Sequence, residues 1–195
     1  MELTNKGAEA DLYLDGGRIV KVRVPKAYRI PVLDARLRKQ RTKRESRNLE
    51  RAAEAGIKAP KLIRTDDKNA TVEMEYVEGP TLKALFDRGE MVGELSVEFG
   101  RILRRLHDAG IVHNDLTTSN LILSNDGIYM IDFGLAYHTD RLEDKAMDLV
   151  VFKKSIQASH TLLADRIWGG LTEGYKPEKD ILKRVEVIEN RVRYK

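Results

Sequence analysis

The chain has 195 residues, 42% of them apolar and 34% charged, and it contains no cysteine. Disulfide frameworks, thiolate metal sites and cysteine nucleophiles are therefore excluded, and no run approaches the ~20 apolar residues of a membrane-spanning helix. The formal net charge of +4 is unevenly spread, and no basic-then-apolar leader follows Met1, so the expectation is a soluble domain of the cytoplasm with local basic surfaces.

In chain order, Asp11 to Leu14 and Arg18 to Val24 read as two strands joined through Asp15-Gly16-Gly17. In the second, Val20, Val22 and Val24 alternate with Ile19, Lys21 and Arg23, which predicts that the valine face is the buried one. A long helix follows over Leu33 to Glu54, stopped by Ala55-Gly56 and Pro60. Thr71 to Tyr76 is a further strand, and Glu78-Gly79-Pro80 marks a hinge. Val92 to Ala109 carries Leu95, Phe99, Ile102, Leu103 and Leu106 at the spacing of a helix with one buried stripe. Leu121 to Leu123 and Ile128 to Ile131 flank Ser124-Asn125-Asp126-Gly127 as a second hairpin. From Asp144 onward the pattern is mostly helical, with breaks expected at Gly169-Gly170 and Pro177. The sum is an α+β, bilobal domain: a small N-lobe of antiparallel sheet plus long helix over 1–77, and a reduced, mainly helical C-lobe over 78–195.

The chemistry concentrates in two loops. Asp115 lies in His113-Asn114-Asp115-Leu116-Thr117-Thr118-Ser119-Asn120, whose five-residue step from Asp115 to Asn120 is that of the catalytic loop H-R-D-L-x-x-x-N. Asp132 follows a strand in Ile131-Asp132-Phe133-Gly134, matching D-F-G. Phosphoryl transfer asks a protein for metal ions, phosphate positioning and a carboxylate beside the nucleophile, and these residues supply that set. Lys21 fits the lysine that pairs the α- and β-phosphates. Its glutamate is expected to be Glu45, which shares a helical face with Leu49 and Ala52, with Glu50 as the alternative. Lys6-Gly7-Ala8-Glu9-Ala10 is a phosphate-covering loop reduced to one glycine.

Three departures bear on the substrate. Asn114 stands where H-R-D has arginine, Thr117 replaces a lysine common in protein kinases, and the short stretch after Gly134 contains no A-P-E. A platform for an extended peptide is therefore not expected. Asp148 is expected to buttress the catalytic loop from below, and His107 and His113 to be packed or hydrogen-bonded.

These segments, with Tyr28-Arg29-Ile30-Pro31, Leu33-Asp34, Arg41-Thr42-Lys43-Arg44-Glu45 and Glu143 to Leu149, resemble the PRPK-type atypical kinases of the KEOPS complex along nearly the whole chain. The resemblance implies ATP and Mg2+ as cofactors, and ATP hydrolysis or slow serine/threonine autophosphorylation. Asp115, Asn120 and Asp132 would be catalytic, the last two holding magnesium. The nucleotide contacts would be Gly7, Ala8, Glu9, Ala10, Lys21, Glu45, Glu75 and Val77. Implied partners are the threonylcarbamoyltransferase subunit, a small KEOPS subunit on the N-lobe, and tRNA, whose position 37 would acquire N6-threonylcarbamoyladenosine.

In that family a basic C-terminal tail engages tRNA, and Arg191, Arg193 and Lys195 occupy its place. A second basic surface is expected on the helix from Arg36 to Arg51, either a solvated face or one for a polyanion such as RNA. The alternatives are a RIO-type kinase, which normally departs from D-F-G, a small-molecule phosphotransferase, for whose helical insert there is no room, and a non-enzymatic RNA-binding scaffold.

Overall fold

The computed structural model describes residues 2–7 and 9–193, the side chains of residues 5, 192 and 193 excepted. Strands β1 (Glu2–Lys6), β2 (Asp11–Asp15) and β3 (Arg18–Val22) lead to helix α1 (Pro31–Glu54), followed by β4 (Leu62–Asp66) and β5 (Thr71–Glu75). The five strands form one antiparallel sheet in the order β1-β2-β3-β5-β4.

The β2–β3 hairpin turns at Gly16-Gly17 as expected, with Asp15 opposite Arg18. Its ladder ends at Val22, although the Arg23 amide still donates to the Ala70 carbonyl at 3.1 Å. α1 starts at Pro31, two residues ahead of the expected Leu33, because proline at the first helical turn gives up no hydrogen bond. Edge strands β1 and β4 had no sequence signal: Leu3 and Ile63 are both about half exposed, so no alternation of buried and exposed side chains marks them.

The burial of β3 corrects the expectation for its two faces. Val20 is buried, Val22 and Val24 only partly, while Lys21 and Arg23 are 7% and 4% exposed. Both faces of this central strand are covered, and the side that bears charges looks onto α1, where those charges are matched.

The second lobe holds α2 (Leu82–Asp87), α3 (Val92–Asp108), β6 (Ile111–Val112), β7 (Leu121–Ser124), β8 (Gly127–Met130), β9 (Tyr137–His138), α4 (Leu142–Ser159), α5 (Ala164–Tyr175) and α6 (Lys179–Arg193). β7 and β8 form the expected hairpin, and β6 pairs with β9. All five apolar residues of the α3 stripe are buried.

Gly169-Gly170 is not a break but sits inside α5. The reason for Gly170 is packing against α3: a Cβ there would come within 2.7 Å of the Ser96 Cβ, and along the same seam one at Gly174 would come within 1.9 Å of the Val97 carbonyl oxygen and one at Gly100 within 2.2 Å of the Leu171 carbonyl oxygen. α3 and α5 thus meet backbone to backbone, which outweighs the ~1 kcal/mol that glycine costs a helix interior. Pro177 does separate α5 from α6. One apolar core spans both lobes, from Leu49, Ala52, Val72 and Met74 to Phe99, Phe152 and Ile188.

Candidate active site

β3 and α1 lie side by side, so alternate residues of the strand face one stripe of the helix. Glu45, Leu49 and Ala52 are the inward stripe, at 1%, 2% and 0% exposure, and Glu50 is exposed. Lys21 Nζ donates to Glu45 Oε1 at 2.8 Å and to Asp132 Oδ1 at 2.7 Å. The other oxygen of Glu45 accepts from the guanidinium of Arg23.

A glutamate with two buried cations is an arrangement that sequence reasoning missed, since only the lysine was expected there. Burial disfavours the charged form of Lys21, but the Glu45 and Asp132 carboxylates outweigh it and raise its pKa. Burial likewise works against the charged Asp132, and the Lys21 ammonium overcomes it, holding the carboxyl below its ordinary range.

The lower wall is built from two short 3-10 turns, Thr118–Asn120 and Phe133–Leu135. Asn114 and Asp132 both have left-handed backbones, with φ of 62° and 60°. That conformation suits Asn and Asp better than most side chains, which gives a local reason for asparagine where H-R-D has arginine. Asp148 accepts from the backbone amides of His113 and Asn114, each at 2.6 Å, and lies 3.1 Å from His107 Nε2. It supports the loop from below, as expected, and His107 also meets the Tyr175 hydroxyl at 2.8 Å. His113 Nε2 is 3.0 Å from the Ile131 carbonyl, and its ring lies against Phe133, so it ties one loop to the other.

Asn120 Nδ2 donates to the Asp115 carbonyl at 2.9 Å, which turns the amide oxygen away from that contact. α1 is fastened to the second loop by Asn48, whose amide donates to the Ala136 carbonyl at 2.6 Å. Asn48 also went unnoticed on the sequence, because its partner lies 88 residues on.

A cavity of about 580 Å3 opens between the lobes. Gly7, Glu9, Ala10, Lys21, Glu45, Glu75, Val77, Asp115, Asn120 and Asp132 all line it, together with Arg23 and Arg41. Of the expected nucleotide contacts, Ala8 lies outside the described residues. Glu9 is turned toward the helix side, ion-paired to Arg29 at 2.8 Å and Arg41 at 2.6 Å. The hydrogen bond from Arg29 leads in lowering its pKa.

Among the groups lining the cavity, the Asp132 carboxylate and the Asn120 amide oxygen could serve as donors to a cation. Two oxygen ligands, with phosphate oxygens and water completing the shell, suit magnesium, which rarely takes an all-protein cage.

Of the C-terminal basic residues, Arg191 does not line this cavity. α6 continues through Arg193, so what the sequence presented as a tail is helical to that point. Arg191 pairs with Glu143 on α4 at 3.3 Å. The side chain of Arg193 and all of Lys195 lie outside the described residues. Among the described residues no helix is long and apolar enough to cross a membrane.

The small antiparallel sheet with its single long helix, the helical second lobe and the loops between them define a domain of the protein-kinase class. The chain belongs to the RIO domain family, whose model matches residues 21–156, and within it groups with the KEOPS complex subunit Bud32 of Pyrococcus abyssi, 40% identical over 100% of this chain and 97% of that protein.

It is also 42% identical, over 98% of its length, to a probable bifunctional tRNA threonylcarbamoyladenosine biosynthesis protein of Methanococcus maripaludis, and spans 36% of that longer relative. Among solved structures, the Rio2 kinase of Chaetomium thermophilum in its ADP/Mg2+-phosphoaspartate complex superposes with a TM-score of 0.64 at 14% identity, covering 100% of this chain and 72% of that one. The RIO-type and KEOPS-type readings, separate on the sequence, therefore meet in one family.

Proposed function

We propose that the chain is a magnesium-dependent ATPase and atypical serine/threonine kinase that serves formation of N6-threonylcarbamoyladenosine at position 37 of tRNA. It would act as a KEOPS subunit, beside the threonylcarbamoyltransferase subunit and with a small subunit on the N-lobe. The names of the Pyrococcus and Methanococcus relatives support the assignment. The observation that carries the chemistry is the convergence of Lys21, Glu45, Asp132, Asp115 and Asn120 on one cavity.

In this reading ATP lies between the lobes, which divide at 77–78, with its base toward Glu75 and Val77 and its phosphates toward Lys21 and the Gly7 loop. Asn120 and Asp132 would hold magnesium, which when bound neutralises charge on the phosphate oxygens. Lys21 is a charge-paired ammonium held at the phosphate station by Glu45, and Arg23 fixes Glu45 from the other side. Asp115 orients the attacking hydroxyl or water, with its backbone carbonyl pinned by Asn120. Thr117 contributes no positive charge opposite the phosphates, which favours slow turnover.

The test is magnesium-dependent ATP hydrolysis by the purified chain with its transferase partner, with and without tRNA, against Asp132→Ala. Turnover that tRNA stimulates and the variant loses is expected. Equal turnover in wild type and variant would overturn the site assignment.

A further inference from the structure

The outer face of α1 has no part in the site described above. Arg36, Lys39, Lys43, Arg44, Arg47 and Arg51 are all exposed. Among the described residues Lys43 reaches a carboxylate, Asp67 at 3.2 Å, and the other five have no ion-pair partner. The inner arginines of the same helix are treated differently: Arg38 is 2.7 Å from Asp34 and Arg41 is 2.6 Å from Glu9. At ~100° per residue the six cations fall within a sector of about 140°, centred opposite Glu45, and at ~1.5 Å rise they extend over about 22 Å. Glu50 and Glu54 are the acidic residues within that sector.

We infer that this face binds the phosphate backbone of a double-helical RNA stem. The chemistry of the face selects that partner. Insertion into an anionic membrane needs large apolar side chains running beside the cations; on this face exposed Val32 and Leu33 are confined to the first turn of α1, and from Arg36 to Arg51 the exposed side chains are basic, Gln40 and Glu50. Single-stranded nucleic acid is held by stacking bases on aromatic rings, and no aromatic residue occurs between Arg36 and Arg51. What remains is charge on a rigid rod, rich in guanidinium, which matches the phosphate rows bordering the wide minor groove of A-form RNA. RNA held there would bear on the same helix that presents Glu45 to Lys21.

The inference rests on the RNA partner of the proposed function and adds a surface to it. The test compares the full chain with a variant carrying Arg36→Gln, Lys39→Gln, Arg44→Gln, Arg47→Gln and Arg51→Gln. A second variant carries lysine at the four arginine positions. Binding of an unmodified tRNA transcript, an RNA hairpin stem and poly(U) is titrated over a range of salt. For wild type, tRNA and hairpin bind with a steep salt dependence and poly(U) more weakly.

The glutamine variant keeps its melting temperature, and its log–log salt slope is shallower by about four, at roughly 0.9 for each phosphate that is no longer neutralised. The lysine variant keeps the slope. A glutamine variant whose slope equals that of wild type overturns this inference and leaves the RNA-directed function standing. Wild type that binds neither tRNA nor hairpin fails that function as well. Poly(U) bound as tightly as the hairpin overturns the choice of a duplex.

Discussion

Lys21 and Asp132 meet across the cleft, Nζ to Oδ1 at 2.7 Å, although 111 residues separate them in the chain. The same ammonium is 2.8 Å from Glu45, so strand β3, helix α1 and the loop after β8 are joined through one atom. Lys21 is buried while the Asp132 side chain is 43% exposed. The carboxylate is therefore the partner with room to turn toward solvent or a bound cation.

Asp132→Ala is expected to remove ATP turnover while leaving the fold in place, since the half-exposed carboxylate contributes little to stability. Turnover and melting temperature measured on the same preparation check this. A variant that hydrolyses ATP normally would contradict the role given to Asp132.

Arg23 is the less visible member of the cluster. Its substitution by methionine leaves the second oxygen of Glu45 without its partner inside the protein while Lys21 still neutralises the first, and one buried polar group left unsatisfied costs about 1–3 kcal/mol. Chemical denaturation should show that loss. A double-mutant cycle with Glu45→Gln should give strongly non-additive values, and additivity would mean that the two side chains are not coupled.

Asp148 satisfies two backbone amides of the catalytic loop at once. Asp148→Ala should cost about 3 kcal/mol, because each buried donor left unsatisfied costs ~1–3 kcal/mol. It should also slow turnover through the loop rather than through metal binding. Asp148→Asn, which can satisfy only part of the set, should lie between. Amide hydrogen exchange at His113 and Asn114 reads the effect directly, and protection equal to wild type would exclude it.

His160 is buried between Thr118, whose Oγ1 is 2.9 Å from Nε2, and Asp87, whose Oδ1 is 3.3 Å from Nδ1. Burial pushes its pKa below the ordinary value, with Asp87 opposing and Lys83 adding to the shift. A depressed histidine is neutral in the fold and takes up a proton in the unfolded chain. The resulting stability is present above the unfolded pKa of ~6.5 and is lost as pH falls toward the folded value. Between about pH 7 and pH 5 wild type should lose more melting temperature than His160→Gln. Parallel curves would show that His160 does not contribute.

The seam between α3 and α5 gives a packing prediction. Gly174→Ala would place a methyl group 1.9 Å from the Val97 carbonyl oxygen, forcing the helices apart at a cost of about 1–3 kcal/mol or more. Gly169→Ala, whose Cβ would meet nothing within 4 Å, should be neutral or slightly stabilising. Equal melting temperatures for the two variants would argue against the close approach.

How much of this could be read in advance depended on how local each residue's reason is. That Asp115, Asn120 and Asp132 share one cavity was legible because their two motifs fix residue types at short spacing. Lys21 and Glu45 were legible because a strand and a helix each carry a periodicity. Arg23 and Asn48 were not: their partners lie 22 and 88 residues away, and nothing near them in the chain names those partners. Gly170 was read as a breaker, since its use depends on a neighbouring helix that a one-dimensional pattern does not contain.

The connection between the lobes is shorter than its sequence suggests. Leu123 donates its amide to the Pro80 carbonyl at 2.9 Å, and a Cβ at Gly79, whose φ is 147°, would come within 2.0 Å of the Leu123 carbonyl oxygen. Gly79 and Pro80 are thus clamped to the β7–β8 hairpin and belong structurally to the lower lobe. Tyr76 is held to the upper sheet by its amide, which donates to the Gly17 carbonyl at 3.3 Å, so the stretch left unclamped between the two halves is Val77 to Glu78, and a ligand resting on Val77 would sit on the axle itself and stiffen any turning of the jaws about it.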